Sequence, residues 1–208
     1  MRGGRAWDGL ALYRCMVDED GLDRLHPDVT DSVARALAEC GDSTACVAFL
    51  RGTVRNAGSA PAASTFAAVL YSFRGACLRQ MAEMRQHRKD REGGGEGKGS
   101  GGRDRHSQPL CAAPSPPELQ SLQLAWRHRS EDVFSLMEEC LVRPTLGAYQ
   151  SVLSILDACG DPDRALDFFY NHQAQLAGLG QVESMYKAII AVCMRHPSKR
   201  QVAFMLRR

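Results

Sequence analysis

No stretch of this chain reaches the roughly 20 consecutive apolar residues that a membrane-crossing helix needs, so no spanning segment is expected. Aromatic residues are scarce at 7%, and the 19 glycines follow no fixed period, which argues against a β-sandwich or a collagen-like chain. An excess of charge of either sign is missing as well: 26 Lys and Arg stand against 24 Asp and Glu, so the overall balance does not announce a polyanionic partner. The eight cysteines (Cys15, Cys40, Cys46, Cys77, Cys111, Cys140, Cys159 and Cys193) lack the close pairing that zinc sites use. With no secretory hydrophobic segment in view, they read as reduced thiols, mostly buried in apolar helical stretches, and no metal is expected.

Charge is more informative locally. Nine Lys and Arg face five acids between Arg74 and Arg105, and five Lys and Arg with no acid lie between Arg195 and Arg208. At the N-terminus Arg2 and Arg5 are followed by Asp8 without a Ser-rich stretch, which reads as the start of a helix rather than as a transit peptide.

What the chain does have is a recurring frame. An anchor is followed by apolar residues three, four and seven positions later, which is one face of an α-helix. Phe66, Val69, Leu70 and Phe73 match it, as do Tyr149, Val152, Leu153 and Leu156, and Tyr186, Ile189, Ile190 and Cys193, with Thr30, Val33, Ala34 and Leu37 a weaker copy. A turn is expected eleven residues after each anchor, at Gly41, Cys77, Gly160 and Pro197. Sixteen after it, Cys46, Ala82, Ala165 and Val202 are expected to face inward from a second helix. Anchor spacings of 36 (Thr30 to Phe66) and 37 (Tyr149 to Tyr186) make the unit a helical hairpin of about 35 residues.

The gap between Phe66 and Tyr149 is longer. It holds a Gly/Ser/charged tract and a Pro-rich patch, unable to bury apolar surface, so residues 92–117 are expected to be a disordered insertion between hairpins. A further hairpin is expected after it, with Leu119, Leu122 and Trp126 on one helix and Val133, Phe134, Met137, Cys140 and Leu141 on the next. Trp7, Leu10, Ala11, Tyr13 and Met16 read as the second helix of an earlier unit. The expected organisation is therefore residues 1–91 as a partial unit plus two hairpins, the insertion, and residues 118–208 as about three hairpins, the chain beginning and ending within the array. The fold class is all-α, a right-handed α-solenoid of stacked antiparallel helix hairpins.

The segment from Pro144 through Tyr149 to Leu153, followed by Gly160, Ala165, Phe168 and Phe169, resembles a pentatricopeptide repeat, whose pattern is a proline five before the aromatic, then a glycine turn and an alanine. Pro61 and Phe66 repeat the proline-to-aromatic spacing. The competing tetratricopeptide pattern needs a small residue four after the anchor, where Leu70, Leu153 and Ile190 stand and only Ala34 would suit. The resemblance covers about 150 residues outside the insertion.

That resemblance implies a non-catalytic, organellar (mitochondrial or plastid) adaptor that lays single-stranded RNA on its concave helices, one base to a repeat, and acts in RNA processing, stability or translation. The base-facing residues would directly follow each anchor: Asp31, Ala67, Gln150 and Lys187. Their partners, four before the next anchor, would be Ala62, Thr145 and Val182. These combinations do not reproduce the family's base-selecting pairs, which use Asn, Ser or Thr with Asp or Asn. Other proteins of an organellar RNA assembly are the further expected partners, and the alternative is a structural protein–protein scaffold in a ribosomal or RNA-processing assembly.

Catalytic readings are weaker. Gly93 to Gly99 resembles a phosphate-binding loop only superficially, because Glu92 takes the place of its first glycine, Gly99 takes that of Ser or Thr, and no strand precedes it. Glu138 with Glu139, and Asp161 with Asp163, read as a helix surface and a helix start. The six histidines show no ligand spacing and no triad, so neither a catalytic residue nor a cofactor is expected.

Overall fold

The computed structural model describes residues 27–56, 60–93, 117–178 and 182–196, together with Ala11 and Cys15. All regular structure among them is helical: α1 (Pro27–Glu39), α2 (Ser43–Asn56), α3 (Ala63–Gly93), α4 (Pro117–Glu139), α5 (Leu146–Ala158), α6 (Pro162–Ala177) and α7 (Val182–Arg195). None of these helices is long and apolar enough to cross a membrane.

The same three residues make two of the turns. Cys40-Gly41-Asp42 separates α1 from α2, and Cys159-Gly160-Asp161 separates α5 from α6. In each, the glycine takes a left-handed conformation, φ +83° at Gly41 and +68° at Gly160, which an L side chain resists. The aspartate then caps the next helix: Ala45 N donates to Asp42 Oδ1 at 2.9 Å, and Arg164 N donates to Asp161 Oδ1 at 3.2 Å. Pro162 at the start of α6 adds a residue whose missing N–H costs nothing there. Thr145 caps α5 in the same way, accepting from Ala148 N at 3.2 Å. Leu141, between α4 and α5, holds a left-handed φ of 55° without being glycine.

Helix α1 packs on α2 and α3, α3 on α4 and α5, α4 on α2 and α5, and α5 on α6 and α7, with α6 also against α7. Each helix therefore meets its near neighbours in the chain. The apolar faces of the helices supply the core: Leu37, Phe66, Leu70, Phe73, Tyr149, Val152, Phe169, Met185 and Ile189 are all buried. Cys46 and Ala165 face inward as expected, each without accessible surface.

Two expected helix breaks are absent. Instead of turning at Cys77, α3 continues as one helix of 31 residues, about 46 Å long at the usual rise. Its apolar face runs on through Ala76, Cys77 and Met81, all buried, and no proline interrupts it; Ala82, expected inside, is exposed. Likewise α4 is a single helix of 23 residues rather than two. Buried Ser130 bridges its two apolar stretches, with Oγ donating to Arg127 O at 2.9 Å.

These two helices pack on each other, so residues 94–116 connect the members of one pair rather than separating two pairs. Among the described residues α1 packs on α2, α3 on α4, α5 on α6, and α7 on both α5 and α6. The edges of the expected insertion, Glu92, Gly93 and Pro117, are helical. Residues 94–116 themselves, the helix expected over residues 7–16 apart from Ala11 and Cys15, and Pro197 and Val202 lie outside the described residues.

Candidate functional site

Helices α1, α3, α5 and α7 each carry an anchor near their start, and they pack in that order, α1 on α3, α3 on α5 and α5 on α7. Thr30, Phe66 and Tyr149 are buried and Tyr186 is half-buried, so the anchors are core residues. The residues after them stand in equivalent helical positions: Asp31, Ala67 and Gln150 are half-buried and Lys187 is exposed. Lys187 Nζ is paired with Glu183 Oε1 at 2.7 Å on the same exposed face. Asp31 Oδ1 is a buried oxygen without a hydrogen-bond donor. The main-chain carbonyl of Gln150 accepts from the Ser154 hydroxyl at 2.7 Å. Of the expected partner residues, Thr145 is engaged as the α5 cap, Ala62 is exposed ahead of α3, and Val182 opens α7.

One turn further along α1 and α3 the chain presents Arg35, exposed, and Tyr71, 68% exposed. A spacing of four residues places Arg35 on the Asp31 face and Tyr71 on the Ala67 face. Periodicity alone marked Tyr71 as nothing special, because it falls off the apolar stripe that begins at Phe66.

Ion pairs join the helices around this row. Arg195 and His196 reach Asp157, tying α7 and its end to α5, the histidine at 3.5 Å. On the other side Arg127 of α4 holds Asp161 Oδ2 at 2.5 Å, and Arg164 Nη1 meets Glu131 Oε1 at 2.7 Å. The Glu131 carboxylate raises the already high pKa of Arg164, so that guanidinium is a permanent charge.

Among the described residues, clefts open between the helices. The first, about 450 Å³, is bounded by Glu138, Leu141, Arg143, Tyr149 and Gln175 among others. Tyr149 reaches it from an aromatic cluster in which Phe134, Phe168 and His172 sit edge-on or tilted at centroid distances of 4.5 to 6.0 Å. Its hydroxyl donates to Gln175 Oε1 at 2.6 Å, and burial, with the nearby Glu138 carboxylate, pushes the phenol up to about 12. His172 has an acceptor at each ring nitrogen, the Phe168 carbonyl at 2.7 Å and Glu138 Oε1 at 3.1 Å.

The second cleft, about 360 Å³, is lined by Gln120, Gln123, Leu124, Arg127, Cys159, Gly160 and Asp161. Interaction with the Cys77 thiol of α3, helped by Arg127 and Arg85 and opposed by burial and Asp161, holds the Cys159 thiol below its ordinary value, while interaction with Cys159, together with burial, pushes Cys77 up. Arg85 Nη2 donates to the Ala158 carbonyl at 3.1 Å, next to the pair. By contrast, burial first and then the Asp42 charge push Cys46 up to about 12. Nothing in the sequence joins Cys77 to Cys159; only the packing of α3 on α5 does.

Among the described residues no group of three or more His, Cys, Asp or Glu is arranged to hold a metal ion. No protein-family model matches the chain, and a search of curated proteins finds no similar one.

Proposed function

We propose that this chain is a non-catalytic RNA-binding adaptor of the pentatricopeptide type, a right-handed α-solenoid of helix hairpins that lays a single RNA strand across α1, α3, α5 and α7. The observation that carries this reading is the repeated register: Asp31, Ala67, Gln150 and Lys187 follow equivalent anchors on four helices that pack in series. Arg35 suits a phosphate, and the exposed ring of Tyr71 suits stacking on a base. Thr145 serves as a helix cap and Lys187 is paired with Glu183, so contacts to the RNA backbone and base faces outweigh a base-by-base code. The organelle, mitochondrion or plastid, and a role in RNA processing, stability or translation follow from the family resemblance alone.

Fluorescence anisotropy with a mixed-sequence single-stranded RNA at low salt tests the reading. Binding at micromolar protein is expected, weakening with salt as phosphate contacts dictate. Tyr71→Ala is expected to weaken it about tenfold through lost stacking. Absence of binding by the intact chain at low salt sinks the proposal.

A second reading, a scaffold for other proteins, is favoured by the large apolar side chains left outside, above all Leu141 (93% exposed) and Met194 (73%). Partners recovered after nuclease treatment would support this scaffold; partners lost with the RNA would support the adaptor.

A further inference from the structure

We propose that the first cleft binds a free α-amino acid with a branched aliphatic side chain, such as leucine. Glu138 holds the ammonium, Arg143 and Gln175 hold the carboxylate, and Leu141 covers the side chain. The site rests on neither reading of the chain's function, and none of Asp31, Ala67, Gln150 and Lys187 lines it.

The cleft forms where the ends of α4 and α6 meet the segment that leads into α5. Glu138 stands in the last turn of α4, Ala174 and Gln175 stand in the last turn of α6, and Arg143 and Pro144 precede the Thr145 cap. At about 450 Å³ the cleft falls in the range of small-molecule sites. Among the described residues its charged lining is one acid and one base, Glu138 and Arg143, both exposed. A zwitterion matches both, whereas a simple anion or cation would meet one of them with its own sign.

The polar groups keep capacity for such a ligand. Glu138 Oε1 is taken by His172 Nε2 at 3.1 Å, and its second oxygen has no partner among the described residues. Arg143 likewise makes no hydrogen bond or ion pair with a described residue, which leaves its guanidinium open to a carboxylate. Gln175 is exposed, yet its amide is oriented: Oε1 accepts from the hydroxyl of buried Tyr149 at 2.6 Å, and the NH2 is left as a second donor.

The apolar wall carries the observation that folding alone leaves unexplained. Leu141 N donates to Glu138 O and Val142 N to Met137 O, both at 2.9 Å, closing the end of α4 through a left-handed residue. Glycine suits that place, but here it is a leucine whose side chain is 93% exposed and takes no part in the core. A strained residue on the lining of a cleft, with its apolar surface in water, is accounted for when a bound aliphatic side chain packs on it and on Val142 and Pro144.

Saturation-transfer difference NMR on the full-length chain tests this with L-leucine at about 1 mM, a range in which so small a ligand binds. Saturation is expected at the leucine methyls. N-acetyl-leucine, which lacks the ammonium, and leucinamide, which lacks the carboxylate, are each expected to bind about tenfold more weakly. These analogues also stand for the last and first residues of a peptide, so either of them binding as tightly as leucine would assign the cleft to a peptide end and overturn the proposal. Arg143→Gln and Leu141→Gly are each expected to weaken leucine binding about tenfold while keeping a cooperative thermal melt. Leucine left unsaturated by the unsubstituted protein, or bound undiminished by both variants, would equally strike the site out. Both residues are exposed and the analogue series needs no variant, so a folding defect cannot hide the answer.

Discussion

Trp126 Nε1 donates to Gln80 Oε1 at 2.8 Å, and the same indole meets Phe73 edge-on at 5.8 Å. Both contacts run from α4 to α3, helices separated in sequence by the longest tract outside the described residues. Trp126 is thus a main fastening between them, a buried indole whose N–H is taken up by a half-buried glutamine. Trp126→Phe is expected to cost about 1 kcal/mol for the lost hydrogen bond, and Trp126→Ala about 3 to 5 kcal/mol for the lost packing. Urea denaturation of both, with Gln80→Ala to complete a double-mutant cycle, checks the assignment; equal small losses for Phe and Ala would refute it.

The glycine turns make opposite predictions from Leu141. At Gly41 and Gly160 an added Cβ meets nothing closer than 3.9 Å, so the penalty there is one of backbone strain alone. Gly41→Ala and Gly160→Ala are each expected to lower stability by about 1 kcal/mol. Leu141 already carries that strain with its side chain almost wholly in water, and Leu141→Gly is expected to be neutral or to stabilise by a few tenths of a kcal/mol, about what the relieved strain leaves after the added unfolded-state entropy. Thermal melts of the three variants decide whether the left-handed turns behave alike.

Alkaline pH should find Tyr149. In the unfolded chain its phenol ionises near 10, whereas in the folded protein it is held protonated to about 12. The unfolded state therefore releases a proton that the folded state keeps, so stability present below pH 10 is lost as the pH rises towards 12. Tyr149→Phe gives up the Gln175 hydrogen bond, about 1 kcal/mol at neutral pH, but escapes the alkaline loss. Urea midpoints of the two proteins measured at about pH 8 and about pH 11.5 are expected to converge or cross.

Ala165 has no accessible surface at the second position of the recurring frame. Replacing it by Glu would bury a charge with no partner and is expected to cost about 3 to 5 kcal/mol, visible as loss of the cooperative melt. Ala165→Ser, small enough for the site, separates a steric and electrostatic effect from any change at that position.

The legible parts of this molecule are those that local chemistry decides. Stripes beginning at Phe66, Tyr149 and Tyr186 reappear as buried helix faces, and Gly41 and Gly160 turn where spacing expects them, because amphipathic period and left-handed glycine are properties of a few consecutive residues. Extending the frame by analogy failed at Cys77 and Ala82. No proline or left-handed residue enforces a turn there, and the continuing apolar face through Met81 favours more helix. The turn expected within α4 is absent for a similar reason: Ser130, between its two apolar stretches, satisfies its own hydroxyl on Arg127 O and the helix runs on. Of the candidate site, the positions of Asp31, Gln150 and Lys187 one after each anchor follow from the repeated register and Thr145's capping bond is local, whereas the exposure of Tyr71 depends on packing between distant segments.

The pairing of α3 with α4 changes what holds the two ends of the chain together. Gly93 and Pro117 close off helices that already grip one another, and α5 lies against both. Peptide continuity between those two residues lowers the entropic cost of assembly. A polypeptide divided between them would keep the contacts of α3 with α4 and of α5 with both, which makes the stretch between Gly93 and Pro117 a place to divide the molecule for a split reporter.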